Sequence, residues 1–148
     1  MSFLPGGVLL GLGVGGFFDG IVLHQILQWH HVVSHVHTPN TVANLRLNTL
    51  ADGLFHLLAY AFTLVGLASL WRASRRSHEP WRTRAFVGAL VLGFGLFNVV
   101  EGLINHHLLE LHHVRDGPNA PAYDLGFLAW GAVMILVGAR LTRAAARR

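Results

Sequence analysis

The chain has 148 residues, 53% of them hydrophobic and 12% charged, with 17 Gly and no Cys. A soluble domain is about a quarter charged, so this composition excludes disorder, a disulfide scaffold and an ordinary cytosolic enzyme, and the lack of Cys excludes zinc fingers, iron–sulfur clusters and thiol catalysis. All 11 cations are Arg and 11 His outnumber 7 carboxylates, but the net charge of +4 does not point to nucleic acid, because the arginines sit between long apolar runs.

The first apolar run, about residues 4–30, begins after Met1-Ser2-Phe3, with neither a basic leader nor a small-residue cleavage site, and reads as an uncleaved helix. Its only formal charge is Asp19. Gly7, Gly11 and Gly15 form a GxxxGxxxG stripe, suited to packing inside a bundle or to a homodimer. A polar link through Thr38-Pro39-Asn40 leads to the second run, about 50–72. A basic connector from Arg72 to Arg84 follows, with Trp81 and Arg82 as interface anchors. The third run spans about 84–107 and the fourth about 122–141. Each is near the ~20 residues that cross a bilayer as a helix. The expectation is one all-α transmembrane domain over 1–148, an integral membrane four-helix bundle.

Nine of the eleven arginines flank the middle link or end the chain, leaving Arg46 and Arg115 on the other side. The positive-inside rule then puts both termini and the middle link in the cytoplasm. Ten of the eleven histidines, all but His78, gather at the opposite ends of the spans.

A shift of 82 residues lays Asp19-Gly20, His24 and His30-His31-Val32 over Glu101-Gly102, His106 and His112-His113-Val114. A weaker match at a shift of 72 pairs Asp52 with Asp124 and Phe55 with Phe127, while His56 falls on Leu128. The halves, about 1–75 and 82–148, each hold two helices, so both enter the membrane from one side as parallel repeats.

On an unbroken helix, His24, Gln28, His31 and His35 share one face, as do His106, Glu110 and His113. Asn48, Asp52 and His56 share a face at the start of the second span. A second stripe, rotated by about 120°, carries Asp19 and His30 on one helix and Glu101, Asn105 and His112 on the other. Glu101 and His112 would then stand roughly 16 Å apart along a helix, too far to share an ion. This spacing selects His24, His31, Asp52, His56, His106, Glu110 and His113 as metal ligands in the outer leaflet. Asp19, Gln28, His30, Glu101, Asn105, His112 and Asp124 are left to orient them or relay protons.

Imidazole with carboxylate suits copper(II), zinc or iron, and two related residue sets leave room for two ions. Such a centre fits a membrane metalloenzyme, an oxidoreductase or metal handling alike. The main rival is a haem b electron carrier with His24 and His106 as axial ligands, Gly20 and Gly102 making room for the macrocycle. A metal or proton transporter, with Asp19 and Glu101 extending a path inward, is the third reading. The plainer alternative is that each acid bonds a neighbouring His or Asn and locks helix packing.

The stretches Gly16 to His31, Ala51 to His56 and Glu101 to His107 resemble a family of small four-helix bacterial membrane proteins, known as a domain of unknown function. The resemblance covers most of the chain. It implies a bacterial inner-membrane location in a lipid bilayer and carries no activity.

Overall fold

The computed structural model describes residues 3–76 and 82–146, with side chains to 144. Trp81, His78, Arg147 and Arg148 lie outside the described residues. Four helices run in chain order: α1 (Leu4–Phe18), α2 (Val42–Arg76), α3 (Thr83–Glu101) and α4 (Ala120–Ala146). α1 and α3 continue as wider, π-helical segments, Asp19–Ile26 and Gly102–Leu108. The stretches Leu4–Ile26, Val42–Arg76, Thr83–Leu108 and Ala120–Ala144 are long and apolar enough to cross a bilayer. The fold is an all-α membrane bundle of two repeated helix pairs.

α1 and α3 form its centre; among the described residues α2 packs on the first helix and α4 on the third. The flanking helices therefore keep long apolar faces exposed, with Leu54, Leu57 and Trp71 on α2 and Leu125, Trp130 and Leu136 on α4. In a bilayer these faces meet lipid, so they need no protein partner.

The glycine stripe is used inside the molecule. A Cβ on Gly11 would lie 2.9 Å from the Gly93 Cα, and one on Gly93 would lie 2.9 Å from the Gly11 Cα. Gly7 and Gly15 face Ala89 and Phe97 of α3 in the same way. Gly11 and Gly93 are equivalent in the 82-residue repeat, so the central helices cross on the symmetry axis, where only glycine permits backbone contact. Of the two roles expected for Gly7, Gly11 and Gly15, packing inside the bundle is the one seen, with α3 covering the stripe.

Two helix ends differ from the hydropathy expectation. α2 starts at Val42 rather than near residue 50 because polar side chains tie its first turns to the link before it. Asn44 Nδ2 donates to Thr38 O at 2.8 Å and Asn48 Nδ2 to His37 O at 2.7 Å. Hydropathy marks where a helix becomes apolar, which is not where it begins. The first helix ends at Ile26 instead of near residue 30, and that change creates the site.

Candidate metal centre

An α-helix turns about 100° per residue, so Asp19 and His24, five apart, would diverge by about 140°. Bonds from i to i+5 bring such residues back into line. In the wider segments Leu27 N–H donates to Val22 O and Leu109 N–H to Ile104 O, both at 2.8 Å. His24 Nε2 then lies 3.2 Å from Asp19 Oδ2, and His106 Nε2 lies 3.2 Å from Glu101 Oε2. Both helices stop at the same repeat position. Gln28 and Glu110 take the left-handed conformation, with φ of 50° and 48°, and the chain turns back.

The reversal carries His30 and His112 to the centre. His112 Nε2 lies 3.1 Å from Glu101 Oε1 and 3.1 Å from His106 Nε2. The expected 16 Å separation of Glu101 and His112 assumed one continuous helix. The break at Glu110 removes that premise. His24, His30 and His112 form one group of donor atoms within 4.8 Å of one another, and Glu101, His106 and His112 form a second. All six of the residues Asp19, His24, His30, Glu101, His106 and His112 are buried.

The outer nitrogen of each imidazole faces an acceptor. His30 Nδ1–H donates to Val114 O at 2.8 Å and His112 Nδ1–H to Val32 O at 2.9 Å. His24 Nδ1 bonds Asp52 Oδ1 at 3.0 Å, and His106 Nδ1 lies 3.5 Å from Asp124 Oδ1. A backbone carbonyl oxygen only accepts, which assigns a proton to Nδ1 of His30 and His112, while His24 and His106 have a carboxylate oxygen near both ring nitrogens. Burial, reinforced by the neighbouring His112 and His24 rings, lowers the His30 pKa to about 2 and keeps that ring neutral. Nε2 of His24 and His30, Nδ1 of His106 and one oxygen each of Asp19 and Glu101 are buried without a hydrogen-bond partner.

The other expected ligands lie further out. Asp52 accepts from His24, from His31 Nδ1 at 2.6 Å, from Val32 N–H at 3.0 Å and from Gln25 Nε2 at 3.2 Å. Asp124 repeats this for His113 at 2.7 Å and Val114 N–H at 2.9 Å. Asp52, His31 and His113 thus brace the cluster instead of meeting in it, and Asp124 takes the same part. His56 Nδ1 bonds Asp52 O at 2.7 Å, and Glu110 and Gln28 are exposed at the reversals. Glu110 therefore does not join His106 as expected. Asn105 Nδ2 donates to Glu101 Oε1 at 3.3 Å.

His24 and His106 converge as expected, but they are joined by the acids and the second histidine stripe in place of His31, Asp52, His56, Glu110 and His113. The signal was in the repeat, since acid-Gly, three residues, His, five residues, His is the pattern of the six converging residues. Gln25 and the carbonyls of Val32 and Val114 had no signal in the sequence. The space expected for a haem is filled. A Cβ on Gly20 would meet His56 and Phe55, and one on Gly102 would meet Leu128 and Phe127. His24 stacks on Phe55 and His106 packs against Phe127, with ring centroids 5.3 and 5.4 Å apart.

No curated protein and no solved structure matches the chain. Residues 6–145, nearly its whole length, match the predicted membrane proteins of the domain-of-unknown-function family DUF2243, and the chain belongs to that family.

Proposed function

We propose that the protein is an integral membrane metalloprotein in which His24, His30, His106 and His112, with Asp19 and Glu101, hold a transition-metal centre. One observation carries this reading: Nε2 atoms and carboxylate oxygens of buried residues from both repeats face one another at 3.1–3.2 Å. Such contacts need a proton or a metal cation between the facing atoms. Two ligands about 2.1 Å from one tetrahedral ion are about 3.4 Å apart, so the spacing is near that of a coordination shell. The outer contacts at Nδ1 are those that metal-bound histidines make to fix tautomer and ring orientation.

Charge supports two ions. Asp19, Glu101, Asp52 and Asp124 are all buried, and two divalent ions would balance four carboxylates. The halves are unequal, because Glu101 reaches both His106 and His112 whereas Asp19 meets His24. Imidazole and carboxylate donors without thiolate suit copper(II), zinc or iron, and either redox-active metal would give the centre electron-transfer or oxidase chemistry. Conduction is less well supported. Inward of Asp19 and Glu101 the central helices close on Phe97 and on the Gly11–Gly93 contact, which has no room for a methyl group.

Seven described arginines, Arg72, Arg75, Arg76, Arg82, Arg84, Arg140 and Arg143, lie at the helix ends remote from the cluster. By the positive-inside rule those ends are cytoplasmic, and the centre faces the outside of a bacterial inner membrane.

Elemental analysis and an absorption spectrum of protein purified after metal-replete expression test the reading. Near-stoichiometric non-haem metal, lost in His24→Ala and His106→Ala but kept in Glu110→Ala, is expected. A Soret band would establish haem instead. A metal-free protein of full helicity would mean that protons alone hold the cluster together, and would overturn the proposal.

A further inference from the structure

Above the buried cluster, on the side of the connecting links, lies a polar cavity of about 550 Å³. Its walls include Gln28, His30, His31, Ser34, His35 and Asp116, and no Arg lines it. His30 belongs both to this wall and to the converging donor group, so cavity and cluster meet at one residue, whose buried Nε2 lies on the cluster side. A six-water hydration shell occupies about 180 Å³ at about 30 Å³ per water, which the cavity can admit. We infer that this cavity is the loading port of the centre, taking hydrated divalent metal ions from water and passing them over His31 and His35 to His30. The inference rests on the metal-centre reading and adds the route by which the ion arrives.

The side chains are arranged for stepwise exchange of water for nitrogen and oxygen donors. Asp52 holds the His31 Nδ1, leaving Nε2 as the free ligand of a side chain that is 21% exposed. His35 is exposed, and its ring lies 5.2 Å from that of His113, the repeat equivalent of His31. Asp116 supplies the negative charge that draws a cation in. Two other approaches are unsuited to a hydrated ion. The α4 side has a groove of about 290 Å³ lined by Phe18, Leu23, Trp29, Phe127 and Trp130, where an ion would lose its water without replacement ligands. The inner side is closed by the Gly11–Gly93 crossing.

The chain has no Cys, so a single introduced thiol can plug the port reversibly. Thr38 is exposed and lines the cavity. Metal-stripped Thr38→Cys protein, modified with a bulky methanethiosulfonate, is mixed with zinc(II) or cobalt(II), and uptake is followed by elemental analysis of quenched samples. Uptake is expected to slow at least tenfold, to recover when reductant removes the plug, and to reach the same final stoichiometry. Asn119→Cys on the other link, modified in the same way, should load at the unmodified rate. His35→Ala should slow loading several-fold with stoichiometry unchanged. Equal loading rates with and without the plug would overturn the port while leaving the centre intact. Failure of the unmodified wild-type protein to take up either ion would overturn the centre, and the port with it.

Discussion

His30 and His112, 82 residues apart in sequence, stack with ring centroids 4.4 Å apart and planes within 5°, each fastened to the backbone of the other repeat. The two halves of the molecule thus exchange a hydrogen bond at the centre. Removing a ring leaves a buried carbonyl unpaired, which costs about 1–3 kcal/mol. His30→Ala is therefore expected to lose both metal and thermal stability. His30→Asn places an amide N–H where Nδ1 was, so it should recover much of the stability and none of the metal. Melting in detergent, with metal content measured on the same samples, separates the two roles.

Asp52 and Asp124 hold His24, His31 and His113 by their Nδ1 atoms and stand one residue away from the converging Nε2 and carboxylate atoms. Loss of such a bracing carboxylate lowers metal affinity by about 10–100-fold. Asp52→Asn and Asp124→Asn should each fall in that range in a competition titration against a chelator. Asp19→Asn and Glu101→Gln, which remove a donor itself, should fall further. The reverse order would restore Asp52 to the ligand set and displace the deeper acids.

Gln28 and Glu110 carry the two positive φ values that turn the chain back. An L-residue there is less stable than glycine by roughly 1–2 kcal/mol, partly offset by glycine's freedom in the unfolded chain. Gln28→Gly and Glu110→Gly should be neutral or stabilising by up to about 1 kcal/mol and should keep the metal. If Glu110→Gly loses metal while its melting temperature holds, the side chain is a ligand after all.

The Gly11–Gly93 contact sets how closely the repeats approach, and through it the spacing of His24 and His106. Extra methyl groups in a packed interior cost about 1–3 kcal/mol. Gly11→Ala and Gly93→Ala should each lower the melting temperature and weaken metal binding, without dependence on protein concentration. A concentration-dependent change, or a shift in oligomeric state by light scattering, would mean that the stripe joins two chains.

Four spans, their approximate positions and the repeat were legible in the sequence because each depends on composition or on residue identity at fixed spacing. Four apolar runs near 20 residues, each with few charges, have few solutions other than a bilayer. The acid-Gly-His-His pattern, met twice, contains the six residues that converge in the structure.

The sequence by itself determined a membrane-spanning all-α chain, its duplication, and a surplus of histidine and acid gathered at one end of the spans. Only the tertiary structure decided which of those residues meet. Periodicity arguments assume 3.6 residues per turn, and here two i to i+5 turns and two left-handed residues break that rule at matching positions. Those breaks realign Asp19 with His24, fold His30 and His112 inward, and leave Glu110 outside. Hydrogen bonds between the repeats hold the reversed segments in place, and such contacts have no local signature in the chain.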